Sequence, residues 1–242
     1  MNIGWIQKIY SRITNDDRPD ESIFHKVLDA LGIQVEFNRE SLIDVPKEGS
    51  LVIVSNHPLP IVDCIAIISA LVPIRDDLKF LGISHLRAIP EVRERLILVK
   101  AGRSQRDMRK NRRARETSIE WLRDGHALFA CPAGDISHSK SIFDPCATEP
   151  RWHKGVAEMI RVNRATVLPV FVHGETSRTF QIAQRIHAVL TWFLMPREIR
   201  LLENSAIRFE IGRPMPFDEL EEIGNDIALI EYLRDVTLVL PR

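Results

Sequence analysis

Apolar residues fall in two rhythms along the chain. Short runs rich in Val, Ile, Leu and Phe occupy 51–55, 79–83, 96–99, 127–131, 167–172 and 206–211, each the length of a buried strand. Between them lie segments long enough for helices, at 61–71, 104–123, 153–163, 178–193 and after Phe217. Upstream, Ile3, Ile6, Ile9, Tyr10 and Ile13 recur at helical spacing and predict a helix over 3–13, with a second over 21–31. Strands alternating with helix-length segments predict an α/β fold, a single domain with a mixed, largely parallel sheet covered by helices. The reading divides the chain into an N-terminal helical segment, 1–40, and the main domain, 41–242. Sites in such sheets lie beyond the carboxyl ends of the strands, which directs attention to the residues following each run.

Composition narrows the classes. A chain of 242 residues supports one sizeable core, and 45% hydrophobic with 27% charged residues excludes both a disordered chain and an integral membrane protein. Lys and Arg match Asp and Glu at 33 each, so bulk charge gives no reason to expect a nucleic-acid partner. Cys64, Cys131 and Cys146 are an odd set without a CxxC pair, which argues against a disulfide framework or a thiolate zinc site and for a reducing compartment. The N-terminus lacks a signal-peptide pattern, and the apolar stretches 64–74 and 186–196 are too short to span a bilayer, leaving soluble or peripheral placements. The N-terminal helix is a candidate for contact with the membrane interface, although a protein core would bury the same face equally well.

The most informative segment reads Ser55-Asn56-His57-Pro58-Leu59-Pro60-Ile61-Val62-Asp63 and joins a strand to a helix. Pro58 and Pro60 forbid regular helix between His57 and Asp63 and stiffen the turn. A histidine near its reference pKa of about 6.5 can accept a proton from a hydroxyl or amine, while a carboxylate fixes its tautomer and stabilises the imidazolium. For the isolated pair a second reading stands beside this one: Asp63 complements a helix N-terminus and His57 is an ordinary turn residue.

Further blocks follow in order. Cys131-Pro132-Ala133-Gly134-Asp135-Ile136-Ser137, Trp152-His153-Lys154-Gly155 and Leu168-Pro169-Val170-Phe171-Val172-His173-Gly174 with Ser177 come next. Pro196-Arg197-Glu198 and Ile211-Gly212-Arg213-Pro214 close the series. Together with His57 and Asp63, five residues apart, these blocks resemble the glycerolipid acyltransferase family, and NHPLPIVD is most similar to its hemolysin-like branch, which includes enzymes acylating lyso-ornithine lipid.

The resemblance implies direct transfer of a fatty acyl group from acyl-CoA or an acyl carrier protein to a lysolipid or related polar acceptor, with no cofactor or metal. It implies His57 as general base, Asp63 as its orienter, and Asn56, Lys100, Arg103, Pro132, Ala133, Gly134, Asp135 and Ser137 as substrate-binding residues. Backbone groups around Gly134 become candidates for the oxyanion donors. It also implies a peripheral protein on the cytoplasmic face of the membrane. Two departures stand out, since Ala133 and Ile136 replace the Glu and Arg with which the glycerol-phosphate enzymes recognise their acceptor. An aminoacyl-lipid acceptor thereby becomes as plausible as lysophosphatidic acid.

Other features remain open. Asp135 either binds acceptor or caps its turn. Cys131 stands where the family usually carries an aromatic residue, and it and Cys64 read as packing thiols or, with His57, as a thiol nucleophile. Lys100, Arg103, Arg106, Arg109, Lys110, Arg112, Arg113 and Arg115 against Asp107 form a basic stretch suited to phosphates, anionic lipid or an acidic carrier protein, or to plain solvation. Trp192, Phe193, Leu194 and Met195 close an apolar helix before Pro196 that would enter either a leaflet or the core. A thioester hydrolase on the same site and a catalytically idle membrane-associated member of the fold are the alternatives to acyl transfer.

Overall fold

The computed structural model describes residues 3–18, 21–83, 86–87, 90–100, 104–141 and 146–240. Helices α1 (Ile3–Thr14) and α2 (Ile23–Leu31) lead into β1 (Gln34–Glu36), β2 (Leu51–Ser55), α3 (Val62–Leu71), β3 (Lys79–Ile83), α4 (Pro90–Arg93) and β4 (Leu96–Val99). There follow α5 (Gln105–Arg123), β5 (Ala127–Ala130), the small strands β6 (His138–Ser139) and β7 (Ala147–Thr148), α6 (Gly155–Asn163) and β8 (Thr166–Val172). Helices α7 (Arg178–Ile186) and α8 (Ala188–Leu201), strand β9 (Ala206–Ile211) and helices α9 (Phe217–Leu220) and α10 (Asp226–Leu238) complete the fold.

Seven strands form one sheet in the order β1-β9-β8-β2-β5-β3-β4, and β6 pairs with β7 apart from it. From β8 to β4 every neighbouring pair is parallel; β9 runs antiparallel to β8, and β1 parallel to β9. A single α/β domain with a mostly parallel sheet between helices is therefore present, as the alternation of elements predicts. Strand β2 shows why its first four residues are apolar. Leu51 and Ile53 enter a core with Phe24, Leu28, Ala66 and Ile67, while Val52 and Val54 enter the opposite core with Val156, Ile160, Leu229 and Leu233. A strand covered on both faces favours apolar residues, and the one polar residue, Ser55 at its end, gives its hydroxyl to the Asn56 carbonyl at 2.8 Å.

The N-terminal helices belong to this body. Ile9 is buried, Trp5 and Ile13 pack on the main core, and the Trp5 indole donates to Glu203 at 2.8 Å. Ile9 and Ile13 of the apolar stripe of α1 thus face the protein together with Trp5, each four apart, while Tyr10 stays exposed; the side chains of Ile3 and Ile6 lie outside the described residues.

Several expected boundaries move. Helix α3 begins at Val62, because Ile61 has φ +68° and cannot be helical. The expected helix 178–193 is two helices, broken where His187 is extended, and α8 continues through Pro196 instead of ending before it. Likewise, the last helix divides into α9 and α10. Strands β1, β6 and β7 are additions, each too short to leave a periodic signal.

Candidate active site

The turn after β2 is built by a local conflict that its sequence resolves in one way. Pro58 and Pro60 keep the chain extended, and the Val62 amide then donates back to the Pro60 carbonyl at 2.7 Å across Ile61, whose φ is +68° and ψ −43°. This is a γ-turn of the rare positive-φ kind, with a strain of about 1–3 kcal/mol for a β-branched residue. Its consequence is geometric. The chain reverses within one residue, and Asp63 in the first turn of α3 reaches His57, where Nδ1 and Asp63 Oδ2 lie 2.8 Å apart.

Asp63 is held rigidly. Its Oδ2 also accepts the Leu59 amide at 3.0 Å, its Oδ1 accepts the Cys64 amide at 2.7 Å, and its side chain is only 1% exposed. His57, with 17% of its side chain exposed, keeps access to solvent. Burial would depress the His57 pKa, but the adjacent Asp63 charge and hydrogen bond outweigh it and hold the imidazole well above 6.5. With Nδ1 engaged by Asp63, Nε2 is the nitrogen left to exchange a proton with a bound molecule.

The loop after β5 closes over this turn. Ser137 donates its amide to the His57 carbonyl at 2.7 Å, and Pro132 accepts the His153 amide at 2.9 Å, so the second and third sequence blocks meet at the first. Gly134 has φ +67°, a conformation that favours glycine, and a Cβ there would sit 3.6 Å from the His153 ring. Its amide is already given to the Cys131 carbonyl at 3.0 Å, which removes that group from the candidate oxyanion donors. Ala133 and Ile136 are buried. Asp135 is exposed, caps its own turn through the Ile136 amide at 2.9 Å and accepts from Gln184 of α7 at 2.9 Å.

Sequence reasoning missed Glu149. This buried carboxylate accepts the His57 amide at 3.3 Å, the Ser137 hydroxyl, and the Trp152 indole at 2.8 Å, while Arg234 donates to its backbone carbonyl at 2.7 Å. The signal available was the Trp152 block, whose tryptophan lacks an obvious partner until the fold supplies one. Glu198 does the same for the later blocks. It accepts the Ser177 amide at 2.9 Å and hydroxyl at 2.7 Å, joining α8 to the start of α7.

Asn56 has both ends of its amide committed to Val172, donating to its carbonyl at 2.9 Å and accepting its amide at 2.7 Å, so it anchors the turn to β8 rather than reaching toward substrate. Lys100 is tied through its backbone to the Asn111 amide, at 2.8 and 2.9 Å, and Arg103 lies outside the described residues. Cys64 and Cys131 touch, sulfur to sulfur at 3.7 Å, and this contact, together with burial and Asp63, pushes the Cys64 thiol up; the Cys131 thiol, lowered by its contact with Cys64, is raised on balance by burial and by the negative charges of Asp63 and Glu149. Both thiols therefore rest protonated at neutral pH and are poor nucleophiles. A cavity of about 650 Å³ bordered by His138, Glu149, Trp152, His153, Lys154 and Arg234 includes neither His57 nor Asp63 and is linked to them through Glu149.

A histidine held by a buried carboxylate at the carboxyl edge of a parallel sheet is chemically able to accept a proton from a bound hydroxyl or amine. A family model described as Acyltransferase matches residues 36–173, more than half of the chain, and the chain belongs to this acyltransferase family. No curated protein matches it. Among solved structures, the 1-acyl-sn-glycerophosphate (LPA) acyltransferase PlsC of Thermotoga maritima is similar over 97% of this chain and 86% of its own, with a TM-score of 0.53 and 17% identity, a likeness of fold.

Proposed function

We propose that the protein moves a fatty acyl group from acyl-CoA or an acyl carrier protein onto the hydroxyl or amine of a lysolipid or related polar acceptor in membrane lipid synthesis. The observation that carries this reading is the 2.8 Å contact between His57 Nδ1 and an immobilised, buried Asp63 within a member of the acyltransferase family. Neutral His57 takes the acceptor proton at Nε2 as its oxygen or nitrogen attacks the thioester carbonyl. Asp63 stabilises the imidazolium, and the departing thiolate receives the proton.

The acceptor reading follows from what the loop lacks. Ala133 and Ile136 are buried and carry no charge, so they contribute nothing to a phosphate headgroup, and the resemblance to the hemolysin-like branch favours an aminoacyl lysolipid. The cationic face of α5, with Arg106, Arg109, Lys110, Arg112 and Arg113, suits the phosphates of CoA or an acidic carrier protein.

Access from the cytoplasmic leaflet is proposed through α7 and α8. Ile186, Leu190, Trp192 and Phe193 are exposed there, and α7 touches the 131–137 loop through Gln184. Among the described residues no helix is long and apolar enough to cross a membrane, which fits peripheral attachment.

The test is purified protein with radiolabelled acyl-CoA or acylated carrier protein and, in parallel, lyso-ornithine lipid and lysophosphatidic acid. Transfer to the aminoacyl lipid is expected, with a loss of about 100- to 10,000-fold in His57→Ala. Unchanged transfer in that variant, or fatty acid release independent of acceptor, refutes the assignment.

A further inference from the structure

Three side chains from separate parts of the chain meet at the pair. Cys64 Sγ lies 3.7 Å from Cys131 Sγ and 3.8 Å from His57 Nδ1, and the three ligand atoms fall within 4.8 Å of one another. A tetrahedral zinc site with Zn–S of about 2.3 Å and Zn–N of about 2.0 Å requires sulfur atoms ~3.8 Å apart and sulfur–nitrogen edges of ~3.5 Å. The sulfur–sulfur edge already has this length, and the sulfur–nitrogen edge has to shorten by only ~0.3 Å. All three residues are partly exposed, so an ion can enter.

We propose that His57, Cys64 and Cys131 form a binding site for a soft divalent cation, zinc foremost, whose occupation shuts off the catalytic pair. Two sulfurs and an imidazole select zinc over magnesium or calcium, which prefer oxygen. The fourth position falls to water or to Asp63 Oδ2, already 2.8 Å from Nδ1. On binding, the two thiols release their protons to solvent and neutral His57 coordinates through Nδ1, so that two negative sulfurs balance the two positive charges of the ion. The imidazole proton then resides on Nε2. A nitrogen that carries a proton there cannot accept one, and Asp63 loses the group it orients. Inhibition rests on the proposed role of His57 as base; binding does not.

The two parts separate in one experiment. Full-length protein, reduced and stripped with chelator, is titrated with zinc in competition with a chromophoric chelator, and with cobalt(II) by absorption spectroscopy. One ion per chain is expected, with a thiolate-to-cobalt charge-transfer band. Cys131→Ser and, as a second variant whose fold is checked by circular dichroism, Cys64→Ala should each bind at least tenfold more weakly and lose about half of that band. Cys146→Ser should bind as wild type. A cobalt spectrum without thiolate charge transfer, or uptake that survives both the Cys64 and Cys131 variants, overturns the site. Stoichiometric binding that leaves acyl transfer unaffected supports the site and overturns the role given to His57.

Discussion

The backbone amide of His57 donates to Glu149, a carboxylate 92 residues further along the chain, at 3.3 Å. The same carboxylate takes the Ser137 hydroxyl and the Trp152 indole, so three sequence blocks that share no element are fastened at one buried point. The turn that carries His57 is therefore set by residues that follow two other strands, β5 and β7, as well as by its own prolines.

Glu149 is accordingly a positioning residue. Glu149→Ala leaves an amide, a hydroxyl and an indole N–H without their acceptor, at a cost of about 1–3 kcal/mol for each group that water cannot reach. Glu149→Gln keeps one oxygen but sets an amide donor against another donor. Both variants should lower kcat with little change in KM, alanine more than glutamine, and alanine should melt earlier. Equal kcat in all three proteins would show that the fastening does not reach the chemistry.

The Asp63 charge governs when His57 can act. Because the imidazole is held well above 6.5, its protonated form persists to higher pH than in an ordinary histidine, and only the neutral form accepts a proton. The value of kcat/KM should therefore rise with pH through a midpoint well above 6.5. Asp63→Asn removes the charge that raises the pKa and leaves burial, which lowers it, so its midpoint should fall below that of wild type and its plateau should drop. A pH–rate profile that keeps its midpoint in Asp63→Asn would contradict this assignment.

Ile61 carries the strain that brings the pair together. Glycine adopts φ +68° without a side-chain clash, so Ile61→Gly should keep activity within a few-fold of wild type. Proline is fixed near φ −65° and cannot form this turn. Ile61→Pro should lower kcat by about 100-fold or more while far-UV circular dichroism stays close to wild type. Full activity in the proline variant would mean that the turn is dispensable.

Much of the sheet could be read from the chain because its strands are short apolar runs between breakers. The bounds of β2, β3, β4 and β9 agree with the runs themselves. The break at His187 was illegible, since no glycine or proline marks it, and Pro196 misled because α8 tolerates it inside the helix. In the site, the contact of His57 with Asp63 follows from a stiff turn of five residues. Glu149 and the Cys64–Cys131 contact do not, because spacing rules see only sequence neighbours, and these sulfurs are 67 residues apart in the chain. The absence of a CxxC pair spoke against a thiolate site, and no spacing rule brings Cys131, just after β5, to Cys64 of α3.

Far from the site, Arg75 bears on stability alone. It lies at the amino-terminal edge of the sheet, its side chain 1% exposed, and donates to the carbonyls of Pro46, Gly49 and Gly125 and to both oxygens of Asp77. Arg75→Ala strands three carbonyls and a carboxylate and should cost about 3–5 kcal/mol at neutral pH, read as a lower urea midpoint with native kcat at low temperature. Burial raises the Asp77 pKa, but the Arg75 hydrogen bond and charge, helped by His126, bring it below 3.8. A depressed folded pKa contributes stability that is complete above the unfolded value and is lost as pH falls through the folded one. The gap between wild type and Arg75→Ala should thus be widest at neutral pH and narrow as the pH drops below about 3.8. A gap that stays constant down to acid denaturation would assign the effect to the three carbonyls and exclude the Asp77 charge.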